Sequence, residues 1–255
     1  MDFGSLCRNN WIYILCAIIL LIVLGLLYYM VFRKKYYLKP GKEYILPEPI
    51  NSVAIDDSNF YTISNDTVTK YKKKNGKQMV QQKFPSKQLK VGKMINGDLV
   101  IANCSKNKNV LLWLNPNDLS IIDALPLTFI EGTVLWIDRY WGEWWVSTVE
   151  HNKLHIYCFD DEFQLKGYWR YPKGTPVNVT GGGWFGEYLC VSLKDSPEMI
   201  AMELDGDKVN ATFIKKIQVC FEGHGFVFEQ KHGHVYVWGI LDNNKVVRCP
   251  VEMDD

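Results

Sequence analysis

Five short apolar strands recur along the chain at nearly even spacing, and this recurrence limits the fold more than any other feature. Consecutive strands start 39 to 47 residues apart, at Phe60, Leu99, Trp144, Tyr188 and Val235. A tight turn that contains Gly or Asn precedes each strand, and such residues supply the positive φ of a two-residue hairpin. A period of about 40 to 47 residues is typical of proteins built from repeated four-stranded sheets.

The segments between these strands supply the other members of each sheet. A third strand follows each dense strand, and more polar outer strands follow at residues 79–84, 120–127, 164–172 and 211–219. The fifth unit ends without an outer strand, whereas a spare strand at residues 43–49 precedes the first unit. The sequence therefore predicts an all-β domain, a five-bladed β-propeller over residues 43–255 whose last blade is completed by this strand. A β-sandwich, the main alternative, leaves the even spacing and the missing strand unexplained.

An uncharged apolar run begins at Trp11 and ends at Phe32. A helix over residues 11–32 reaches about 33 Å, which is enough to cross the hydrocarbon core of a bilayer. We expect a single transmembrane helix here, preceded by a short N-terminal tail (residues 1–10) and followed by a basic juxtamembrane linker (residues 33–42). The run is longer than the apolar part of a cleaved signal peptide. Membrane lipid is therefore an expected partner, contacted from Trp11 to Phe32.

Two signals for the side of the membrane disagree. Cations cluster directly after the run and favour a cytosolic C-terminal domain in a single-pass protein; they are Arg33, Lys34, Lys35, Lys39 and Lys42. Asn-x-Ser/Thr patterns, which accept glycans in a lumenal or extracellular domain, favour the opposite side. These patterns begin at Asn65, Asn103, Asn178 and Asn210. Because chance accounts for some of these patterns, we expect the cytosolic orientation.

The charges are balanced over the whole chain but concentrated in one hairpin. Lys and Arg number 29 against 28 Asp and Glu, a net charge of +1, so that no global field attracts nucleic acid. The densest run is KYKKKNGK at residues 70–77, centred on an Asn75-Gly76 turn. This run is either a solvated hairpin tip or a contact for anionic lipid. Nucleic acid is not an expected partner, because Tyr71 alone offers a ring for base stacking.

Cysteine and histidine spacing indicates no metal or cofactor. The domain has five cysteines without a CxxC pair, and buried thiols are the expectation. His232 and His234 lie two residues apart, but a tight turn between strands explains both without zinc. The run Gly181-Gly182-Gly183 lacks the spacing of a phosphate-binding loop and is interpreted as a strand kink.

The candidate site residues follow from the expected channel of a propeller, which the innermost strands line and where ligands commonly bind. These strands are expected to begin near Ser52, Lys90, Thr133, Asn178 and Gly225. Asp138 is a candidate general base, and His224 is a candidate acid or base that titrates near neutrality. The candidate ligand contacts are Asp56, Trp136, Arg139 and Gly182. The structural alternatives are a capping or Arg139-paired carboxylate for Asp138 and a packing role for His224.

Several segments resemble, in order and spacing, a poorly characterised group of β-propeller proteins, loosely likened to cycloisomerases and glutamine cyclotransferases. The resemblance covers residues 45–253 and is carried by AIDDSNFYTISNDTVTKYKKKNGK, TVLWIDRYWGEWWVS with YCFDDEFQLKGYWRYP, GGGWFGEYLCVS and EGHGFVFE. It implies a propeller and little else. Where relatives are expected to carry histidines in the second blade, this chain has Lys90 and Ala102-Asn103-Cys104, so that any site built on those histidines is absent.

Two functions are consistent with this sequence. The first is a membrane-anchored propeller that acts as a binding or scaffolding module for a protein or small ligand at the propeller face, because propellers commonly present loops for recognition. The second is a propeller enzyme of the hydrolase, lyase or cyclotransferase type, with Asp138 and His224 at the channel mouth. The two differ in geometry, since catalysis requires the acid and the imidazole to lie close together in a closed pocket.

Overall fold

Among the residues that the structure describes, twenty β-strands form five antiparallel sheets of four strands each, and this arrangement confirms the predicted five-bladed propeller. The computed structural model describes Leu15, residues 18–24 and residues 41–85, 88–105, 108–204 and 210–251. Residues 39–255 form one compact unit. Within each blade, consecutive strands pair through short turns, so that most strand contacts are local in sequence.

Each blade runs from the centre of the ring outward. The inner strands are β2 (Ser52–Ile55), β6 (Leu89–Ile95), β10 (Thr133–Tyr140), β14 (Val179–Phe185) and β18 (Val227–Lys231). The second strands are β3 (Asn59–Ile63), β7 (Asp98–Ser105), β11 (Glu143–Glu150), β15 (Tyr188–Leu193) and β19 (His234–Leu241). The third strands are β4 (Thr67–Lys72), β8 (Lys108–Leu114), β12 (Lys153–Phe159), β16 (Glu198–Leu204) and β20 (Lys245–Pro250). The outer strands are β5 (Gln78–Lys83), β9 (Ile121–Pro126), β13 (Leu165–Arg170), β17 (Ala211–Gln218) and β1 (Lys42–Ile45).

The strand before the first blade closes the ring, as the sequence predicts. β1 pairs antiparallel with β20, with Lys42 opposite Arg248 and Ile45 opposite Lys245. Tyr44 is buried, and its ring lies 4.6 Å from that of Phe60 in the first blade. β1 therefore belongs to the last blade by hydrogen bonding and to the first blade by packing, so that it joins the two.

The inner strands are parallel to one another around the ring. Gly182 lies beside the Trp136 indole and Gly183 beside the Asp138 carboxylate. Successive positions of β14 thus lie beside successive inward positions of β10, so that the two strands run in the same direction. We name the side on which inner strands begin the entry face, with turns at residues 150–153 and 222–226. The opposite side is the exit face, with turns at residues 56–58, 72–78 and 140–143.

Glycines in the inner strands, or in the turn just before one, allow the blades to approach closely at the centre. A Cβ atom added to Gly182 would lie 2.4 Å from the Trp136 indole, and one added to Gly225 would lie 2.4 Å from the Ser52 hydroxyl oxygen. The predicted kink at the glycine run corresponds to a register shift between Val179 and Gly181. These glycines are thus required by close packing of neighbouring strands.

The core contains the tryptophans and cysteines that the sequence places in strands. Trp136, Trp144 and Trp169 are all buried, as expected for structural residues. All five cysteines of the propeller are buried as well. Burial raises the pKa of the Cys104 thiol to about 11 and that of Cys190 to about 12, so that both are protonated at neutral pH.

The predicted transmembrane helix lies mostly outside the described residues, as do the N-terminal tail and nearly all of the basic linker. Leu15 and residues 18–24 are helical and expose apolar side chains. Within the ranges that the structure describes, no helix combines the length and the hydropathy of a membrane span.

Candidate functional site

Asp138 lies in the exit half of β10 and forms a buried ion pair at the centre of the ring. Its Oδ2 atom is 2.7 Å from the Lys93 ammonium of β6 and accepts a hydrogen bond of 2.9 Å from the Trp184 backbone amide of β14. The other oxygen, Oδ1, accepts 2.8 Å from the Arg139 amide. One carboxylate thus joins three successive inner strands.

This geometry favours a structural role for Asp138. Two amides and an ammonium stabilise the ionised carboxylate, and both of its oxygens are engaged. Its side chain is 6% exposed and that of Lys93 is 15% exposed. A general base needs an oxygen that can reach a substrate proton, whereas Oδ2 joins neighbouring blades and Oδ1 is bound to the Arg139 amide of the same strand.

The predicted pair of Asp138 with Arg139 is replaced by two separate ion pairs. The Arg139 guanidinium lies 2.6 Å from Asp161 and 5.7 Å from the centre of the Trp144 ring, and it points away from the channel carboxylate. The Arg139 side chain therefore pairs with Asp161, and only its backbone amide contacts Asp138.

Four aromatic rings extend from the core beside Asp138 to the exit face. Ring centres are 4.9 Å apart between Trp145 and Trp184, 4.7 Å between Trp184 and Tyr140, and 5.0 Å between Tyr140 and Trp141. We call these four residues the aromatic column. Trp141 occupies the β10–β11 turn with a φ of 51° and is 80% exposed. A large apolar ring is thus displayed at the exit face by a turn that ordinarily selects Gly or Asn.

The remaining sequence candidates do not form one site around Asp138. His224 lies at the entry face, where its Nε2 atom is 2.7 Å from the Asn243 side-chain oxygen. Trp136 is fully buried and donates its indole N–H to the Tyr171 hydroxyl at 2.8 Å. Gly182 lies against Trp136. The expected meeting of Asp138 and His224 at one channel mouth is therefore not seen, since the two residues have different partners toward opposite faces.

Asp56 caps the turn that follows β2 on the exit face. Its carboxylate accepts hydrogen bonds from the Tyr61 hydroxyl at 2.6 Å and from the Ser58 and Asn59 amides at 2.7 and 2.6 Å. Burial alone would raise the pKa of Asp56, but these hydrogen bonds together hold it below its ordinary value. Asp56 thus stabilises the turn as an ionised carboxylate.

A cleft of about 450 Å³ lies on the exit face between the last blade and the first. We call it the cationic cleft because six of its lining residues are basic and two are acidic. The basic residues are Lys42, Lys72, Lys73, Lys74, Lys231 and Arg248, and the acidic ones are Asp57 and Glu229. Its formal charge is therefore +4, whereas the whole chain carries +1.

Glu229 organises the inner wall of the cationic cleft. Its carboxylate lies 2.5 Å from the Lys73 ammonium and 2.8 Å from the Arg248 guanidinium, and it accepts the Trp238 indole N–H at 2.8 Å. Burial alone would raise the pKa of Glu229, but the hydrogen bonds from Lys73 and Trp238 and the two nearby cations hold it below its ordinary value. The wall is therefore charged and fixed in position.

Sequence reasoning missed this cleft, although it singled out the hairpin that forms one side of it. The lining residues come from both ends of the domain and meet only because β1 closes the ring. The charge run at residues 70–77 was the available signal. Its counterparts Glu229 and Arg248 are isolated charges in strands, and nothing in their local sequence links them to the hairpin.

Comparison with known proteins supports the fold alone. No protein-family model and no curated protein matches the chain. A solved structure of Myxococcus xanthus glutaminyl cyclase is similar with a TM-score of 0.59 at 9% identity, covering 85% of this chain and 97% of that one. A protein of unknown function from Bacteroides caccae has a TM-score of 0.50 at 14% identity, covering 74% of this chain and 69% of that one. The sequence-based resemblance is thus supported in its coarse form, as a shared propeller architecture.

Proposed function

We propose that this protein is a membrane-tethered β-propeller that acts as a binding module at a membrane surface, with its exit face toward the bilayer. The observation that carries the proposal is the composition of that face. It displays the exposed Trp141 and the basic hairpin at residues 70–77. Tryptophan rings and lysines are the side chains that favour the interface of an anionic membrane.

The route of the chain supports the same orientation. β1 is antiparallel to β20, and its first residue, Lys42, lies opposite Arg248 and lines the cleft on the exit face. The segment that precedes Gly41 therefore joins the propeller on this side. Residues 33–42, which separate the expected span from β1, include five cations and suit the surface of an anionic membrane.

Binding is favoured over catalysis by the way the candidate catalytic groups are used. The Asp138 carboxylate joins three blades through the Lys93 ammonium and the Trp184 backbone amide. His224 pairs with Asn243 near the opposite face. An acid and an imidazole that act together need a shared substrate position about 3 Å from both, and these contacts direct the two residues to different places.

The proposed orientation is tested by hydrogen–deuterium exchange on the full-length chain. We expect slower exchange of peptides covering residues 70–77 and 139–143 in nanodiscs containing phosphatidylserine than in neutral detergent. Peptides from the entry face, at residues 150–153 and 172–178, serve as internal controls and should exchange equally in both. Protection of the entry face instead, or of neither face, would contradict the proposal.

The proposed cytosolic location is tested separately. Full-length chain synthesised with sealed microsomes should remain sensitive to added protease and gain no glycan. A glycosidase-sensitive increase in mass that is lost in N178Q or N210Q would place the propeller in the lumen. The anchor itself is tested by carbonate extraction. The full-length chain should stay in the membrane fraction, and a chain that lacks residues 11–32 should be extracted.

A further inference from the structure

The cationic cleft carries a larger excess of positive charge than either of two larger cavities on the entry face. The cavity of about 580 Å³ is lined by Lys153 and Arg170 with Glu150. A cavity of about 750 Å³ on the entry face is lined by Lys108 with Glu131 and Glu150, so that it holds no surplus of cations. The cationic cleft is smaller but has a formal charge of +4. A charge excess of this size within one concave site attracts anions from solution.

Three of the six cations remain available to a ligand. Glu229 engages Lys73 and Arg248, and the Lys42 ammonium donates to the backbone carbonyls of Lys73 and Lys74. The exposed residues Lys72, Lys74 and Lys231 form no ion pair with any residue that the structure describes. Glu229 therefore holds the cations of the inner wall in place and leaves the charges of Lys72, Lys74 and Lys231, at the rim of the cleft, unneutralised.

The side chains that form the inner wall of the cleft are held in place by their neighbours, which lowers the entropy cost of binding a ligand. The Arg248 guanidinium lies 3.5 Å from the centre of the Tyr236 ring, and the Lys73 ammonium lies 5.1 Å from the centre of the Trp238 ring. The Tyr44 hydroxyl donates to the Lys73 carbonyl and holds the hairpin against β1. Both walls are thus fixed before any ligand arrives.

We propose that the cationic cleft binds a compact ligand with two or more phosphate monoesters. A phosphate monoester carries about −1.5 to −2 charges at neutral pH, and lysine ammoniums bind it as point charges. A volume of about 450 Å³ suits a small molecule. Single-stranded nucleic acid fits less well, because Trp238 and Tyr44 are buried and offer no exposed platform for bases.

This inference rests on the proposed binding role and names the ligand class. The same chemistry occurs in the headgroups of phosphorylated inositol lipids and in soluble inositol phosphates. The orientation of the propeller on a membrane is a separate matter, because binding to the cleft is measured in detergent solution without a bilayer. Failure of phosphate binding in detergent can therefore be distinguished from failure of the proposed membrane orientation.

The test is a calorimetric titration of the full-length chain in uncharged detergent with inositol trisphosphate and with dioctanoyl phosphatidylinositol bisphosphate. We expect saturable binding of at least one probe. Preference of about tenfold for the lipid would identify a membrane headgroup, and equal or tighter binding of the soluble probe would identify a free ligand. Absence of saturable binding to both would overturn the proposal.

Matched variants separate the cleft from general attraction of anions. The triple variant K72Q/K74Q/K231Q should weaken binding at least about tenfold. A control of equal charge on exposed lysines elsewhere, K153Q/K173Q/K194Q, should leave binding unchanged. D57N removes an acid from the rim and should tighten binding about twofold. An equal loss in both triple variants, at unchanged melting temperature, would show that the attraction is not specific to the cleft.

Discussion

Asp138 and Glu229 are both carboxylates in ion pairs between blades, but they differ in the number of cations that surround them. Asp138 faces Lys93 alone at the centre of the ring, and two backbone amides complete its hydrogen bonds. Glu229 faces Lys73 and Arg248 in a cleft lined by further lysines. A balanced pair stabilises neighbouring blades and leaves nothing for a ligand. An unbalanced cluster lowers stability through repulsion, and ligand binding of the kind that we propose would account for it.

Truncating Tyr44, the β1 side chain beside the cationic cleft, should have the largest effect on the free energy of unfolding. Tyr44 packs between Phe60 and Trp238, with ring centres at 4.6 and 6.0 Å. Y44A should lower the free energy of unfolding by about 3 to 5 kcal/mol, because it leaves a cavity between the last and first blades. The neighbouring residue Ile45 is 74% exposed, so that I45A should have almost no effect. Equal losses in chemical denaturation would contradict the closing role of β1.

Breaking the ion pair of Asp138 with Lys93 should destabilise the fold nearly as much. D138N leaves the Lys93 ammonium without its counter-charge in a site where that side chain is 15% exposed. We expect a loss of about 3 kcal/mol in the free energy of unfolding. Asp161 pairs with Arg139 but its side chain is 62% exposed, and D161N should cost less than about 1 kcal/mol. If D138N is as stable as wild type, the pair does not hold the inner strands together.

The contribution of Glu229 to the stability of the fold should depend on pH. Because the pKa of Glu229 in the fold lies below its ordinary value of 4.5, its contribution to stability is present above that value and is lost as pH falls through it toward the folded pKa. The difference in unfolding free energy between wild type and E229Q should therefore shrink from about pH 7 to about pH 3. The exposed pair of Glu198 with Lys216 provides a control, since E198Q should show a smaller difference throughout. A constant difference for E229Q would contradict the ionised state of Glu229.

The smallest effect on stability is expected at the exposed end of the aromatic column. Trp141 is 80% exposed, so that W141A should change the unfolding free energy by less than about 0.5 kcal/mol. Trp145 lies in the same column but is 6% exposed, and W145A should cost about 3 kcal/mol or more. A large loss in W141A would mean that this ring packs in the fold and is not available at a membrane surface.

The fold could be predicted from the sequence because most strand pairs join segments that are adjacent along the chain. Each blade consists of adjacent strands joined by short turns, and Asn96, Trp141 and His232 have the positive φ that the predicted turns require. Even the long-range closure by β1 was predictable, since one sheet lacked a strand and another strand had no sheet. The spacing alone therefore determined the number of blades.

The candidate site could not be predicted from the sequence in the same way, because its residues are far apart along the chain. The expected channel site grouped Asp138 with His224, but the position of each along its inner strand decides which face it approaches. Lys42, Lys73, Glu229 and Arg248 meet only after the ring has closed. No local pattern reports such a meeting, although the charge run of the hairpin marks one side of it.

Closure by β1 also sets the timing of folding during synthesis. Lys42 and its partner Arg248 are separated by about 200 residues, so that β1 leaves the ribosome long before β20 exists. At about 5 to 20 residues per second, the first blade waits roughly 10 to 40 seconds for the sheet that completes the ring. Throughout that interval both ends of the open ring expose unpaired strand edges and are able to pair wrongly. The nascent propeller is consequently vulnerable to aggregation until its last strand is made, and a chain truncated before residue 245 would remain in that state.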